Sequence, residues 1–360
     1  MLDYIKGWYF RYFTDPEAAL LTVLLALSFI ILYFLGAILT PILAALVISY
    51  MLEGPVLKIV SKNISRIWAS SIVFVVFIAF MVFSLVVLLP IITRQTAQFI
   101  QELPGMLKKG QALLENMYQQ YPEFISQDAI DQLVSGLTGD ITTLGQSILS
   151  ISFASIPTVI TYLILVPLMI FFFLKDKIVI YNWAKQFLPS DRNLIKHLWS
   201  EMDAQMGNYI RGKVYEIIIV GAGAYVLFKL FGLNYAPLLA LLVGLSVVIP
   251  YIGAAMVTVP VALVAYFQWG FGPDFTWVIV SYFILQFLDG NVLVPVLFSD
   301  VVNLHPISII AAIVIFGGLW GFWGVFFAIP LATLVKALIN IWPTLSDEQV
   351  QEQTTPQQLS

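Results

Sequence analysis

From residue 214 to residue 342 one apolar run follows another with hardly any charge between them: 214–231, 236–249, 251–267, 276–288 and 306–342. Runs at 20–39, 68–89 and 151–174 have the same character. Stretches of this length suit helices that cross a bilayer. The composition agrees, with 60% hydrophobic and 11% charged residues, against ~45–50% and ~25% in an ordinary soluble domain. The expected fold is therefore all-α, a polytopic helical membrane protein. Pro237, Pro250, Gly253, Pro260, Pro295, Pro306 and Pro330 punctuate the C-terminal runs and predict broken or re-entrant segments.

Residues 1–90 carry the N-terminal membrane segments. Aromatic residues with Lys6 and Arg11 in 1–19 suit a short interfacial helix, and Asp15 with Pro16 can cap and open the next one. The run 20–39 is too long for a signal-peptide core and reads as a retained span. Residues 42–52, after Pro41, supply about half of the ~20 residues a span needs. They predict either a tilted return or a re-entrant hairpin. The run 68–89 reads as a span ending at Pro90.

The segment 91–150 is a polar insertion with six acidic residues against Arg94, Lys108 and Lys109. Within it Ile130, Leu133, Val134, Leu137, Ile141, Leu144 and Ile148 fall at helical spacing and predict an amphipathic helix, a packing surface rather than a cofactor box. A span over 151–174 follows, interrupted by Pro157 and Pro167. Residues 175–213 hold seven Lys and Arg against four acids. With Lys58, Lys62 and Arg66 they form the basic side, which the positive-inside rule places in the cytoplasm, leaving 91–150 outside. Ile195, Leu198, Met202, Met206 and Tyr209 mark one helical face there, predicting a helix along the membrane surface that turns into the next span. The membrane core is then 214–342, and 343–360 is a polar tail.

Several chemistries are excluded or disfavoured. The chain has no cysteine, so it has neither a disulfide nor a Cys-ligated metal. His197 and His305 lie far apart, without metal-ligand spacing, and no metal or cofactor is expected. A net charge of −4, with scattered cations, gives no sign of a nucleic-acid partner. Gly207 to Lys213 imitates a phosphate-binding loop, but Val214 stands where Ser or Thr must hold magnesium, and a helix rather than a strand precedes it. Gly221-Ala-Gly223 lacks the third glycine of a dinucleotide fingerprint and is better explained by close helix packing. No nucleophile, histidine and carboxylate group together, and no HExxH pattern occurs, so the chain does not read as an enzyme.

The stretch Gln286–His305 carries Asp289, Gly290, Asn291, Pro295 and Asp300 between two apolar runs. Polar atoms in such surroundings must face protein or water, so this reads as a broken helix lining a cavity. Gln286 and Asp289 are three apart and share a helical face, and with Asn291 and Glu216 they are the candidate transport path. Pro250, Gly253, Gly290, Pro295 and Pro330 are candidate helix breaks or hinges. The competing reading makes Asp289 a surface cap on the segment 290–300. Gly317, Gly318, Gly321 and Gly324 form a glycine cluster, in which Gly317 and Gly321 have the GxxxG spacing that lets helices approach closely.

The elements NYIRGK (208–213), FGLNYAPLLALLVGLSVVIPYIG (231–253), LDGNVLVPVLFSD (288–300), NLHP (303–306) and IFGGLWGFWGVFFAIPLA (315–332), with YFTDPEA (12–18), resemble those of the autoinducer-2 exporter family. Within it the chain resembles the PerM-type permeases. The resemblance runs over nearly the whole chain. It implies an inner-membrane protein of about eight membrane helices in a homo-oligomer, with a pentamer expected. It implies export of a small polar signalling molecule or sodium–proton antiport, with Pro250, Gly253, Asp289, Asn291, Pro295, Gly317, Gly318 and Pro330 at its motif positions.

Three functions of different class follow. The favoured one is secondary transport of a small hydrophilic solute, since discontinuous helices with sparse buried polar groups suit it and no ATP-binding motif is present. The second is monovalent cation–proton antiport, with Glu216 and Asp289 as carriers. The third is a membrane scaffold whose 91–150 insertion recruits partners.

Overall fold

The computed structural model describes residues 16–120, 156–186, 193–298 and 304–341, with isolated positions between 126 and 139. Every regular element among the described residues is a helix. Six are long and apolar enough to cross a membrane: Ile38–Val60, Arg66–Ala112, Met202–Phe231, Ile252–Trp269, Pro273–Phe298 and Pro306–Phe326. Shorter apolar helices accompany them. The chain is a polytopic helical membrane protein. The predicted stripe over 130–148, the interfacial segment before residue 16 and the tail 343–360 lie outside the fully described residues.

The chain divides into two compact units, one of Met1–Ala69, Met169–Tyr215 and Val294–Ser360, the other of Ser70–Leu168 and Glu216–Leu293. Helix α1, Pro16–Val60, runs 45 residues with Pro41 and Pro55 inside it, or about 68 Å at 1.5 Å per residue. The chain therefore neither turns nor re-enters at Pro41. Pro41 has no N–H to give the Ala37 carbonyl, and beside it Thr40 Oγ1 donates to the Gly36 carbonyl at 3.2 Å.

Helix α2, Arg66–Phe83, does not stop at Pro90 either. A π-helical segment, Ser84–Leu88, joins it to α3, Leu89–Gln120. The Leu89 N–H bonds to the Ser84 carbonyl, five residues back, and that wider turn makes room for the ring of the following Pro90. The insertion thus begins as a direct extension of a membrane helix.

Helix α4 spans Ile156–Lys175, with Pro167 inside it, and α5 spans Lys177–Lys185. Helix α6, Asn193–Phe231, is continuous for 39 residues. The expected turn between a surface helix and a span is absent from it. The imitation phosphate loop, Gly207–Lys213, is helical throughout and offers no cradle of backbone N–H groups.

The second unit holds a buried core. Val220, Ala224 and Phe228 of α6 meet Leu239, Ala240 and Val243 of α7 (Ala236–Ser246). Val257, Val261, Val264 and Ala265 of α8 (Ile252–Trp269) and Val278 and Tyr282 of α9 (Pro273–Leu288) complete it. Lipid tails are as apolar as leucine, so close backbone approach matters more here than hydrophobic burial. Gly221 lies against Gly244, where a Cβ added to Gly244 would stand 2.9 Å from the Ile217 carbonyl and 3.0 Å from Gly221 Cα. Helix packing, not dinucleotide binding, accounts for Gly221.

Helix α7 has 11 residues, about 17 Å against the ~30 Å of hydrocarbon, too short to cross by itself. The chain reverses through Pro250 and Tyr251, whose φ is 64°. Gly253 lies directly on the Ser246 carbonyl, where a Cβ would overlap the oxygen.

The first unit holds a similar reversal. Helix α11, Pro306–Phe326, bends sharply at Gly321 (φ 58°, ψ −133°), and α12 follows at Ala328–Ile341. Gly324 abuts the Phe316 carbonyl, and a Cβ on Gly317 would stand 2.8 Å from Val325. The cluster Gly317–Gly324 therefore folds one hairpin back on itself. Gly321 has no neighbour within 4 Å of a Cβ position, so it is the bend and not a packing face. Tyr209 of α6, 1% exposed, donates from its hydroxyl to the Phe326 carbonyl at 2.9 Å and anchors the end of that hairpin.

Candidate functional site

After α9 the chain does not break. Asp289–Leu293 forms a π-helical turn that leads straight into α10, Val294–Phe298. Gly290 lies within that turn and Pro295 within α10, so neither interrupts the helix; Pro330 likewise lies inside α12, and the discontinuity near it is at Gly321. A π-helical turn shifts carbonyls out of the α-helical register. Asn291 uses its amide on one of them, donating to the Phe287 carbonyl at 2.9 Å. Its role is thus first to the backbone, and its side chain is exposed.

Gln286 and Asp289 are both partly buried, with an Asp289 carboxylate oxygen cut off from the surface. Glu216 on α6 is 2% exposed, and one of its carboxylate oxygens is sealed in the same way. Gly212, Glu216 and Gly223 fall within about 40° of one another around α6, at 100° per residue. Two of these three touch the partner helices. A Cβ on Gly223 would stand 3.2 Å from Leu285, and one on Gly212 2.8 Å from the Phe298 ring. Glu216 lies between those two glycines along α6, as Asp289 lies between Leu285 and Phe298. Buried carboxylates in apolar helices are costly and mark ion or solute routes.

The sequence reading missed three parts of this neighbourhood. Lys213, 3% exposed, holds its ammonium 5.1 Å above the Phe298 ring. It lies three residues before Glu216 and shares its face, so α6 buries opposite charges one turn apart. Its place within a basic segment concealed this. The second part is Tyr282, fully buried, whose hydroxyl meets both Thr258 and Gln286. The third lies in the first unit, where Glu53, Arg66 and Lys177 join the two basic segments. The Thr258–Tyr282 contact and the Glu53 network join residues distant in sequence, which no local spacing shows. Among the described residues no cluster of His, Asp and Glu suits a metal ion.

Residues 22–344 match the model of the AI-2E family transporter. The chain belongs to the AI-2E transporter family. It is 49% identical over 346 residues to the "Putative permease PerM" of Escherichia coli (strain K12), covering 95% of this chain and 98% of that protein. It is 27% identical over 317 residues to the "Putative transport protein YueF" of Bacillus subtilis (strain 168), over 86% and 85% of the two chains. A further relative, the "Putative transport protein YrrI" of the same organism, is 24% identical over 307 residues. As an AI-2E transporter the chain is a multi-pass membrane transport protein. The geometry of Glu216, Asp289 and the π-helical turn falls within the matched residues.

Proposed function

We propose that this AI-2E transporter is a secondary permease for a small hydrophilic solute in the bacterial inner membrane, acting as an exporter and assembled as a homo-oligomer. Gln286, Asp289 and Glu216 line its path, and an autoinducer-2-like molecule is a solute of suitable size and polarity. The observation that carries the reading is Asp289 in a π-helical turn of an otherwise apolar helix, together with the buried Glu216 on α6. The reversals at Tyr251 and Gly321 support it, since re-entrant helices place backbone groups at membrane depth where they line a cavity. This arrangement calls for transport rather than catalysis.

Cation–proton antiport is the second reading, favoured by the two sealed carboxylates, each able to carry a proton or a monovalent cation. Flux in proteoliposomes of the full chain, with sodium, protons and polar solutes, separates the two. Asp289→Asn keeps the size of the side chain and removes its charge, so this protein should insert and fold while losing most of its flux. Full flux in that variant at every pH would refute the path. Flux of none of the probes by the unaltered chain would favour the scaffold.

A further inference from the structure

Thr258 of α8 and Tyr282 and Gln286 of α9 form one hydrogen-bonded line in the second unit. Thr258 Oγ1 donates to the Ala254 carbonyl at 2.7 Å and lies 3.1 Å from the Tyr282 hydroxyl. The Gln286 amide nitrogen lies 2.6 Å from that same hydroxyl. Each hydroxyl has one hydrogen to give. Thr258 gives its hydrogen to Ala254, a carbonyl that can only accept. Tyr282 must then donate to Thr258, and its oxygen is left to accept. Gln286 has to present its NH2 group, because a carbonyl oxygen turned toward Tyr282 would find no hydrogen. The direction of the whole line follows from the Ala254 carbonyl.

Packing holds the hydroxyl where it is. Tyr282 is 0% exposed, and its ring stacks on Phe228 with centroids 6.1 Å apart. Gln286, one turn further along α9, is only partly buried. We propose that Tyr282 and Thr258 are positioning residues that turn the Gln286 carbonyl oxygen away from α8. The path then offers two acceptors one turn apart, Gln286 Oε1 and the Asp289 carboxylate. A ligand that brings hydroxyl hydrogens or a positive charge fits such a pair.

The inference rests on the path proposed above, and its test keeps the two apart. In proteoliposomes of the full chain, the half-saturation concentration and maximal rate are measured with two probes, sodium ion and ribose, which separate a cation from a hydroxyl-bearing solute. Tyr282→Phe keeps the ring and removes the hydroxyl. It should raise the half-saturation concentration by about threefold to tenfold, the worth of one hydrogen bond, with a smaller effect on maximal rate. In a Gln286→Leu background the same substitution should change it less than about twofold, because coupled residues are non-additive. Thr258→Val should act in the same direction, and Thr258→Ser should restore the unaltered behaviour.

An equal effect of Tyr282→Phe in both backgrounds overturns the positioning role, as does an unchanged half-saturation concentration in Tyr282→Phe and Thr258→Val. If Asp289→Asn still abolishes flux in that case, the path survives and only the positioning falls. Full flux in Asp289→Asn, or an unaltered chain that moves neither probe, overturns the path and this inference with it.

Discussion

One nitrogen of the Arg66 guanidinium donates to both carboxylate oxygens of Glu53, at 3.0 and 2.9 Å, and also to the Leu174 carbonyl at 2.8 Å. A second nitrogen, Nε, reaches that same carbonyl at 3.1 Å. Arg66 thus ties the end of α1 and the start of α2 to the last turn of α4. Lys177 Nζ approaches Glu53 at 3.5 Å, and the Tyr50 hydroxyl donates to Asp203 of α6. Glu53 is 7% exposed, so removing one of these partners would leave a buried carboxylate poorly satisfied. The rather exposed Lys177 contributes little by comparison.

Glu53→Gln should therefore lower stability by about 1–3 kcal/mol, the cost of leaving a buried hydrogen-bonding group poorly satisfied. Arg66→Lys should cost a comparable amount, since an ammonium cannot span Glu53 and Leu174 as the planar fork does. Thermal unfolding in detergent reads both. Unfolding temperatures equal to the unaltered protein's would show that the network is ornamental.

The bend at Gly321 leads to a separate expectation. Its φ of 58° with ψ of −133° is accessible to glycine and strained for any other residue. Gly321→Ala should destabilise by roughly 1–3 kcal/mol, although its methyl would meet nothing within 4 Å. Gly318→Ala, with equally open surroundings and no unusual φ, should stay within about 0.5 kcal/mol of the unaltered protein. Equal effects from the two substitutions would argue that packing, not backbone conformation, decides at this hairpin.

Sidedness is testable because the chain has no cysteine of its own. Lys62 lies in the exposed turn between α1 and α2, and Gln119 is exposed near the end of α3. Direct contacts join Glu53 and Arg66 to Leu174 and Lys177, which supports one common side for the two basic segments. An impermeant thiol reagent applied to spheroplasts should label Gln119→Cys and spare Lys62→Cys. The reverse pattern would invert the topology.

Tyr235, between α6 and α7, has its phenol pushed up to about 12 by burial, by its hydrogen bond to Glu102 and by that carboxylate's charge. A raised folded-state value means that the folded chain favours the protonated phenol. The stabilisation is complete below the ordinary tyrosine value near ~10 and is lost as pH rises toward 12. The difference in ultraviolet absorbance between the unaltered protein and Tyr235→Phe should titrate above the ordinary tyrosine value near ~10. A Tyr235 component titrating near ~10 would deny the bond to Glu102.

Length and hydropathy alone determined the solvent, the helical class and most of the spans, because a helix in lipid satisfies its own backbone and needs only enough apolar residues to cross. Ordered motifs determined the family. The same sequence misled at Pro41, Pro90 and Pro295, where a residue that breaks soluble helices is absorbed by a continuous helix or a neighbouring π-helical turn. Asp289 was visible as a polar residue in an apolar run. Glu216 was visible in the same way, but its burial beside Lys213 on α6 was not. Tyr282 read as one aromatic residue among many until Thr258 and Gln286 met its hydroxyl. Local periodicity records how each helix satisfies itself and faces its solvent, whereas the buried polar contacts join residues far apart in sequence, and only packing brings those together.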